Sequence, residues 1–165
     1  ESDRYHAEIF ATSSDRRSTR VVVTSFHDGP EEIALELPPR LAAPTLTTLA
    51  TSPYLRVEGR TPAWTAGVAE RYELDVTARR SRRNIRHWRV SVGAGLAGAA
   101  PEPIALALPD LWDAEGFEPA WALPPDEARE VTLTVREAAS TIEASATSSA
   151  RAVLRRSTRT LIVEP

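Results

Sequence analysis

The chain of 165 residues predicts an all-β protein organised as two tandem β-sandwich repeats. Three observations carry this reading. Apolar and polar residues alternate over short runs, the period of two that half-buried strands require. Proline and glycine clusters bracket those runs. The chain also echoes itself: Arg-Arg-Ser-(Thr/Arg)-Arg occurs at Arg16 to Arg20, Arg79 to Arg83 and Arg155 to Arg159. Glu31 to Pro38 reappears as Glu102 to Pro109, and Pro62-Ala63-Trp64 as Pro119-Ala120-Trp121. Such self-similarity marks a duplicated unit. It places a first repeat at residues 1–83 and a second at 84–165, with one pseudo-symmetric larger β-sandwich as the alternative. Ala11-Thr12-Ser13-Ser14 and Ala146-Thr147-Ser148-Ser149 suggest that the chain begins and ends on equivalent hairpin segments.

Strands are expected in order at Arg20 to Phe26, Glu31 to Leu37, Tyr54 to Glu58 and Glu70 to Thr77. In the second half they fall at Ile85 to Val92, Ile104 to Leu108, Glu130 to Arg136, Thr141 to Thr147 and Thr158 to Glu164. Two of these fix their own faces. Ile85 to Val92 puts Ile85, His87, Arg89 and Ser91 on one side and Arg86, Trp88, Val90 and Val92 on the other; Val131, Leu133 and Val135 point inward with threonines between them. Asp28-Gly29-Pro30, Pro38-Pro39, Pro53, Pro109 and Pro124-Pro125-Asp126 end strands, because proline lacks the ladder donor and glycine tolerates positive φ. Helix is confined to single turns near Leu111 to Phe117 and Asp126 to Arg129, both too short to stand without tertiary support.

Composition narrows the chemistry. All 20 basic residues are arginine, and cysteine and methionine are absent. A disulfide framework, a thiolate nucleophile and a sulfur metal ligand are thereby excluded. The net charge of −3 argues against a general polyanion or nucleic-acid binder, although the arginines cluster while the carboxylates are spread. No run approaches the roughly 18 apolar residues that span a bilayer. The opening Glu1-Ser2-Asp3-Arg4 suits a processed protein or an excised fragment.

Arg20 to Pro39, with its opening strand, polar turn and Leu-Pro-Pro exit, resembles bacterial immunoglobulin-like β-sandwich modules. Leu123 to Val135, where a Pro-Pro turn feeds an alternating strand, is similar to their late segment. Ala66-Gly67-Val68 replaces that Pro-Pro turn in the first repeat, and His27-Asp28 stands where such modules carry an asparagine-rich turn. The resemblance implies a noncatalytic spacer, adhesive unit or accessory domain in a secreted or cell-envelope protein, which is analogy at the level of fold. The expected function is therefore a structural or adhesive module that makes protein–protein contacts, or self-associates, through exposed edge strands. Neighbouring chains are expected to pack head to tail, as repeats do within a chain.

Ligand recognition is the alternative. Arg79, Arg80, Arg82, Arg83 and Arg86, beside His87 and Trp88, combine guanidinium forks with an aromatic face, the chemistry that grips an anionic glycan or other polyanion. The plainer reading of the same stretch is a solvated hairpin tip. Trp88 and Trp112 have no repeat counterparts and are the candidates for an exposed platform under a neutral sugar ring. Trp64 and Trp121, matched between repeats, are expected in the core. Asp110, Asp113, Glu115 and Glu118 surround Gly116 as a calcium candidate, though their spacing departs from the alternate-residue pattern of calcium loops. His6, His27 and His87 lack zinc-site spacing, and no nucleophile elbow or phosphate-cradling glycine loop occurs. No catalytic residue and no cofactor are expected.

Overall fold

The computed structural model describes residues 5–26, 35–64, 69–79, 81, 84–93, 103–127, 129–137, 140–142 and 151–163. They form ten strands: β1 (Tyr5–Thr12), β2 (Ser18–Phe26), β3 (Thr45–Ala50), β4 (Arg56–Thr61), β5 (Ala69–Arg79), β6 (Ile85–Gly93), β7 (Ile104–Ala107), β8 (Arg129–Glu137), β9 (Ser140–Ile142) and β10 (Arg151–Val163). Among the described residues, the one helical piece is a 3-10 turn at Pro119–Trp121. All pairing is antiparallel. A large sheet runs β1-β2-β10-β8-β5-β6, with β9 joined to the early part of β10, and a small sheet runs β3-β4-β7. The result is an all-β, sandwich-like pair of layers. Among the described residues, no helix is long and apolar enough to cross a membrane.

Strand pairing does not follow the expected division at residue 83. Each sheet mixes strands from both halves: β2 lies against β10, β5 sits between β6 and β8, and β4 pairs with β7. The expected boundary falls, in sequence, between β5 and β6, which pair with each other from Arg71–Gly93 to Arg79–Ile85. The echoed segments also find different surroundings. Ile104–Ala107 is a strand, whereas residues 35–38 of the matching stretch lie in none and residues 31–34 are outside the described set. The first and third arginine motifs meet as partners, with Ser157 opposite Arg20, Thr158 opposite Thr19 and Arg159 opposite Ser18. Two strands escaped sequence reading: β1, which alternates except where Phe10 breaks its polar face, and β3, rich in exposed threonine.

The core lies where the small sheet covers β5, β6 and β8. Alternation written into β8 buries Val131, Leu133 and Val135 completely, and β5 supplies Tyr72, Leu74, Val76 and Ala78 to the same face. From the small sheet come Val57 and Leu106, with Leu41, Leu55, Leu108, Trp64 and Leu123 closing the ends. The outward face of β5, β8 and β10 is a polar ladder. Glu73 sits buried there, accepting from Arg136 at 3.2 Å with Arg71 at 3.8 Å, and Thr132 shares a hydrogen bond with Thr160.

Beyond the small sheet, residues 35–44 cover the inner face of β2 and β10. Ser157, fully buried in β10, donates to Pro39 O at 2.9 Å and accepts from Leu41 N at 3.1 Å. Arg20 adds a bond to Pro38 O. A hydroxyl in the middle of a strand thus satisfies two backbone groups that would otherwise be buried unpaired.

Gly59 of β4 faces the core, where a Cβ would stand 2.7 Å from Leu74 Cδ1 and 3.5 Å from Leu46 Cδ2. Leu74 is fully buried among packed neighbours and has little room to move. Gly59→Ala is therefore expected to destabilise the fold by about 1–3 kcal/mol, read as a lower urea midpoint at unchanged slope.

Candidate ligand-binding cleft

At the β6 edge of the large sheet, five aromatic side chains meet. Phe117 is their hub, with ring centroids 5.6 Å from Tyr54, 6.1 Å from Trp88, 6.0 Å from Trp112 and 6.1 Å from Trp121. Tyr54 lies beneath, 5.7 Å from Trp88 and stacked on Trp112 at 6.2 Å. Offset and edge-on geometries of this kind are those that aromatic quadrupoles favour.

Local sequence explains how the rings are held. Tyr54, in the turn before β4, is buried, and its hydroxyl donates to Pro109 O at 2.8 Å while accepting from Leu111 N at 2.9 Å. This one side chain fixes where the chain leaves β7. Two successive turns follow, closed by Ala114 N to Leu111 O and Phe117 N to Ala114 O. Gly116 lies at φ +82°, the left-handed region open to glycine, and so allows the reversal that swings Phe117 back onto Tyr54. The segment is then sewn to β6: Arg86 Nε donates to Ala120 O at 3.0 Å, and Trp88 Nε1 to Trp121 O at 2.8 Å.

Between β6 and this segment lies an open cleft of about 520 Å³. Its apolar wall is Trp88, Leu111, Phe117 and Trp121, and its polar groups are His87, Arg89 and Glu115. Both polar strand residues are oriented from behind by Asp75 of β5, whose Oδ1 meets His87 Nε2 at 2.7 Å and accepts from Arg89 Nε at 2.6 Å. The hydrogen bond and charge of Asp75 raise the Arg89 pKa above its ordinary value, so this guanidinium stays charged. Its terminal nitrogens keep donors beyond the one spent on Asp75.

The expected site residues divide sharply. Trp88 and His87 line the cleft, on opposite faces of β6 as their alternation requires. Arg86 supports its wall. Trp112 stacks on Tyr54 and is 40% exposed. Arg79, at the exposed end of β5, stands apart, and Arg80, Arg82 and Arg83 lie outside the described residues. Trp121 overturns its expected core position: it is 51% exposed, whereas Trp64 is buried. The shared Pro-Ala-Trp triplet forms a 3-10 turn on the surface in the second copy and lies in irregular chain against the core in the first.

The calcium candidate does not assemble. Asp110 is engaged by Arg56 at 3.2 Å and by the Trp112 backbone N–H. Among the described residues, no three His, Cys, Asp or Glu side chains are gathered for a metal ion. Gly116 supplies its sharp turn to an aromatic hub instead.

Sequence reasoning missed Tyr54, Phe117, Trp121 and the Asp75 bridge. Phe117 alone carried a usable signal, as the one aromatic beside Gly116 in an otherwise acidic loop. Comparison with protein-family models, with curated proteins and with solved structures finds no match.

Removing the Tyr54 hydroxyl leaves Leu111 N–H and Pro109 O without their partner. Tyr54→Phe is expected to cost about 1–2 kcal/mol in urea unfolding and to change the tryptophan emission of the native state as the 109–117 segment loosens.

Proposed function

We propose that the chain is a noncatalytic β-sandwich binding module whose cleft takes a neutral, polyhydroxylated ring, of which a sugar residue is the commonest example. One observation carries the reading: a solvent-exposed Trp121 stands edge-on to Phe117 at the mouth of an aromatic wall, facing charged and imidazole groups held in place by Asp75. A sugar ring offers the complementary surfaces, an apolar C–H face for the indole and hydroxyls at its edge for Arg89, His87 and Glu115. A mostly apolar pocket with few oriented polar groups is the usual form of a small-ligand site. Among the described residues, the lining contains no hydroxyl or thiol nucleophile and a single carboxylate, which supports binding over catalysis.

The anionic-glycan alternative draws less support. Of the arginines expected to form its ridge, Arg86 spends its Nε–H on a backbone carbonyl, Arg80, Arg82 and Arg83 lie outside the described residues, and the cleft balances Arg89 with Glu115 and Asp75. An extracellular or envelope setting belongs to the same proposal and rests on the resemblance to immunoglobulin-like modules. A role in protein–protein contact needs a different surface from this cleft.

The test is titration of the protein with neutral oligosaccharides, among them cello-, chito- and manno-oligomers, followed by intrinsic tryptophan fluorescence. At least one series is expected to bind, with Trp121→Ala weakening it about tenfold or more while lowering the unfolding stability by only about 1 kcal/mol, the worth of its contact with Phe117. Affinity is expected to hold between about 50 and about 500 mM salt, because stacking is not screened as ion pairing is. A response to sulfated or uronic-acid oligomers alone, lost as salt rises, would reverse the assignment.

A further inference from the structure

The two edges of the large sheet are treated differently. Along β6 the 111–121 segment is hydrogen bonded to the strand, whereas β1 pairs among the described residues only with β2. Edge strands usually carry protection: a proline, charged side chains, a bulge or very short length. β1 has one charged residue, Glu8, and none of the others. It runs eight residues, pairs with β2 in unbroken register from Tyr5–Phe26 to Thr12–Thr19, and exposes Phe10 at 70% and Ile9 at 43%.

A second copy of this chain fits the edge, and symmetry limits how. Two β1 strands paired antiparallel across a two-fold axis normal to the sheet keep their faces, so each residue must oppose one of its own parity. Registers are therefore centred on a single residue. Centring on Glu8 sets the two carboxylates against each other, and centring on Ile9 sets Glu8 against Phe10. Centring on Ala7 opposes His6 to Glu8 twice on the outer face and Tyr5 to Ile9 twice on the inner face, with Ala7 against Ala7 between them. Among these, that register alone joins imidazole to carboxylate and apolar to apolar, the pairings that stabilise adjacent strands.

We propose that the protein forms an isologous dimer by β1–β1 pairing centred on Ala7, joining two large sheets into one. The contact is independent of the cleft and differs from the head-to-tail packing expected from the echoed chain ends. Because the paired stretch is short, Tyr5 to Ile9 on each chain, the dimer belongs to the weak, concentration-dependent class.

The absence of cysteine permits a direct test. Ala7→Cys in the full chain places two thiols directly opposite, at a Cα separation of about 4.5–5.5 Å that a disulfide accepts. Mild oxidation is expected to convert this variant to covalent dimer. Thr12→Cys, whose copies would lie roughly 33 Å apart along the strands, is expected to stay monomeric. In sedimentation, Glu8→Arg is expected to weaken the wild-type dimer about tenfold, and the exchange His6→Glu with Glu8→Arg to restore it. A wild-type chain that stays monomeric at millimolar concentration overturns the dimer. Equal cross-linking of the two cysteine variants, no cross-linking of Ala7→Cys, or indifference to Glu8→Arg overturns the register.

Discussion

The small sheet is too narrow for the large one, and the rest of the molecule answers that mismatch. Three strands cover β5, β6 and β8, and there the residues of clean alternation, Leu74, Val76, Val131, Leu133 and Val135, are sealed from water. Burying such side chains is worth about 1.5–3 kcal/mol each, and the largest group of them gathers in this part of the sandwich. Outside it, β2, β10 and the rim of β6 have an inner face and, among the described residues, no facing strand. Irregular chain must do the covering, and irregular chain brings backbone groups that need partners. Ser157 meets the need on one flank and Tyr54 on the other, each satisfying one N–H and one carbonyl with a single hydroxyl.

The two flanks then diverge in character. Over β10 the cover is proline-rich and close, held by Pro38, Pro39 and Leu41, and it leaves little to bind. Over β6 the cover is a loop whose side chains are larger than the space beneath them. Phe117 and Tyr54 fill that space, Trp112 and Trp121 are left partly in solvent, and a cleft results. The exposed aromatics follow from how the loop is anchored, since Arg86 and Trp88 each donate a side-chain N–H to it, to the carbonyls of Ala120 and Trp121 in turn. A binding surface of this kind depends on rigid anchors, because each immobilised side chain would otherwise subtract from affinity.

Period-two patterning made the central strands legible: β2, β5, β6, β7 and β8 stand close to where alternation puts them, and β6 has the faces its sequence assigns. It failed where burial is incomplete. β1 and β3 are largely exposed, so little burial stands behind their patterns: β1 alternates but breaks at Phe10, and β3 shows no clean alternation. The internal echoes misled about architecture because likeness between segments records sequence, not surroundings. Arg16 to Arg20 and Arg155 to Arg159 came to lie side by side as neighbours in one sheet, and the two Pro-Ala-Trp triplets came to lie one inside and one outside. Half of the cleft was legible, since His87 and Trp88 sit on a well-patterned strand. The other half is supplied by a loop, and the return of Phe117 onto Tyr54 depends on a tertiary hydrogen bond that no local pattern encodes.

The proposed surfaces sit on opposite edges of one sheet, and this has a physical consequence. A β1–β1 dimer would carry the two β6 edges at its extremes, separated by the six strands of each chain's main path. At about 4.8 Å per strand step the separation is roughly 50 Å, less what twist removes. Each cleft would remain open, since the dimer contact uses none of its residues. Two modest sites at fixed spacing gain by avidity on a repeating polymer, where the second binding event becomes intramolecular, and gain nothing on a short oligomer. The length dependence of binding thus links the two proposals: shortening the ligand and disrupting the β1 edge should erase the same increment of affinity, because both remove the second attachment and neither touches the cleft.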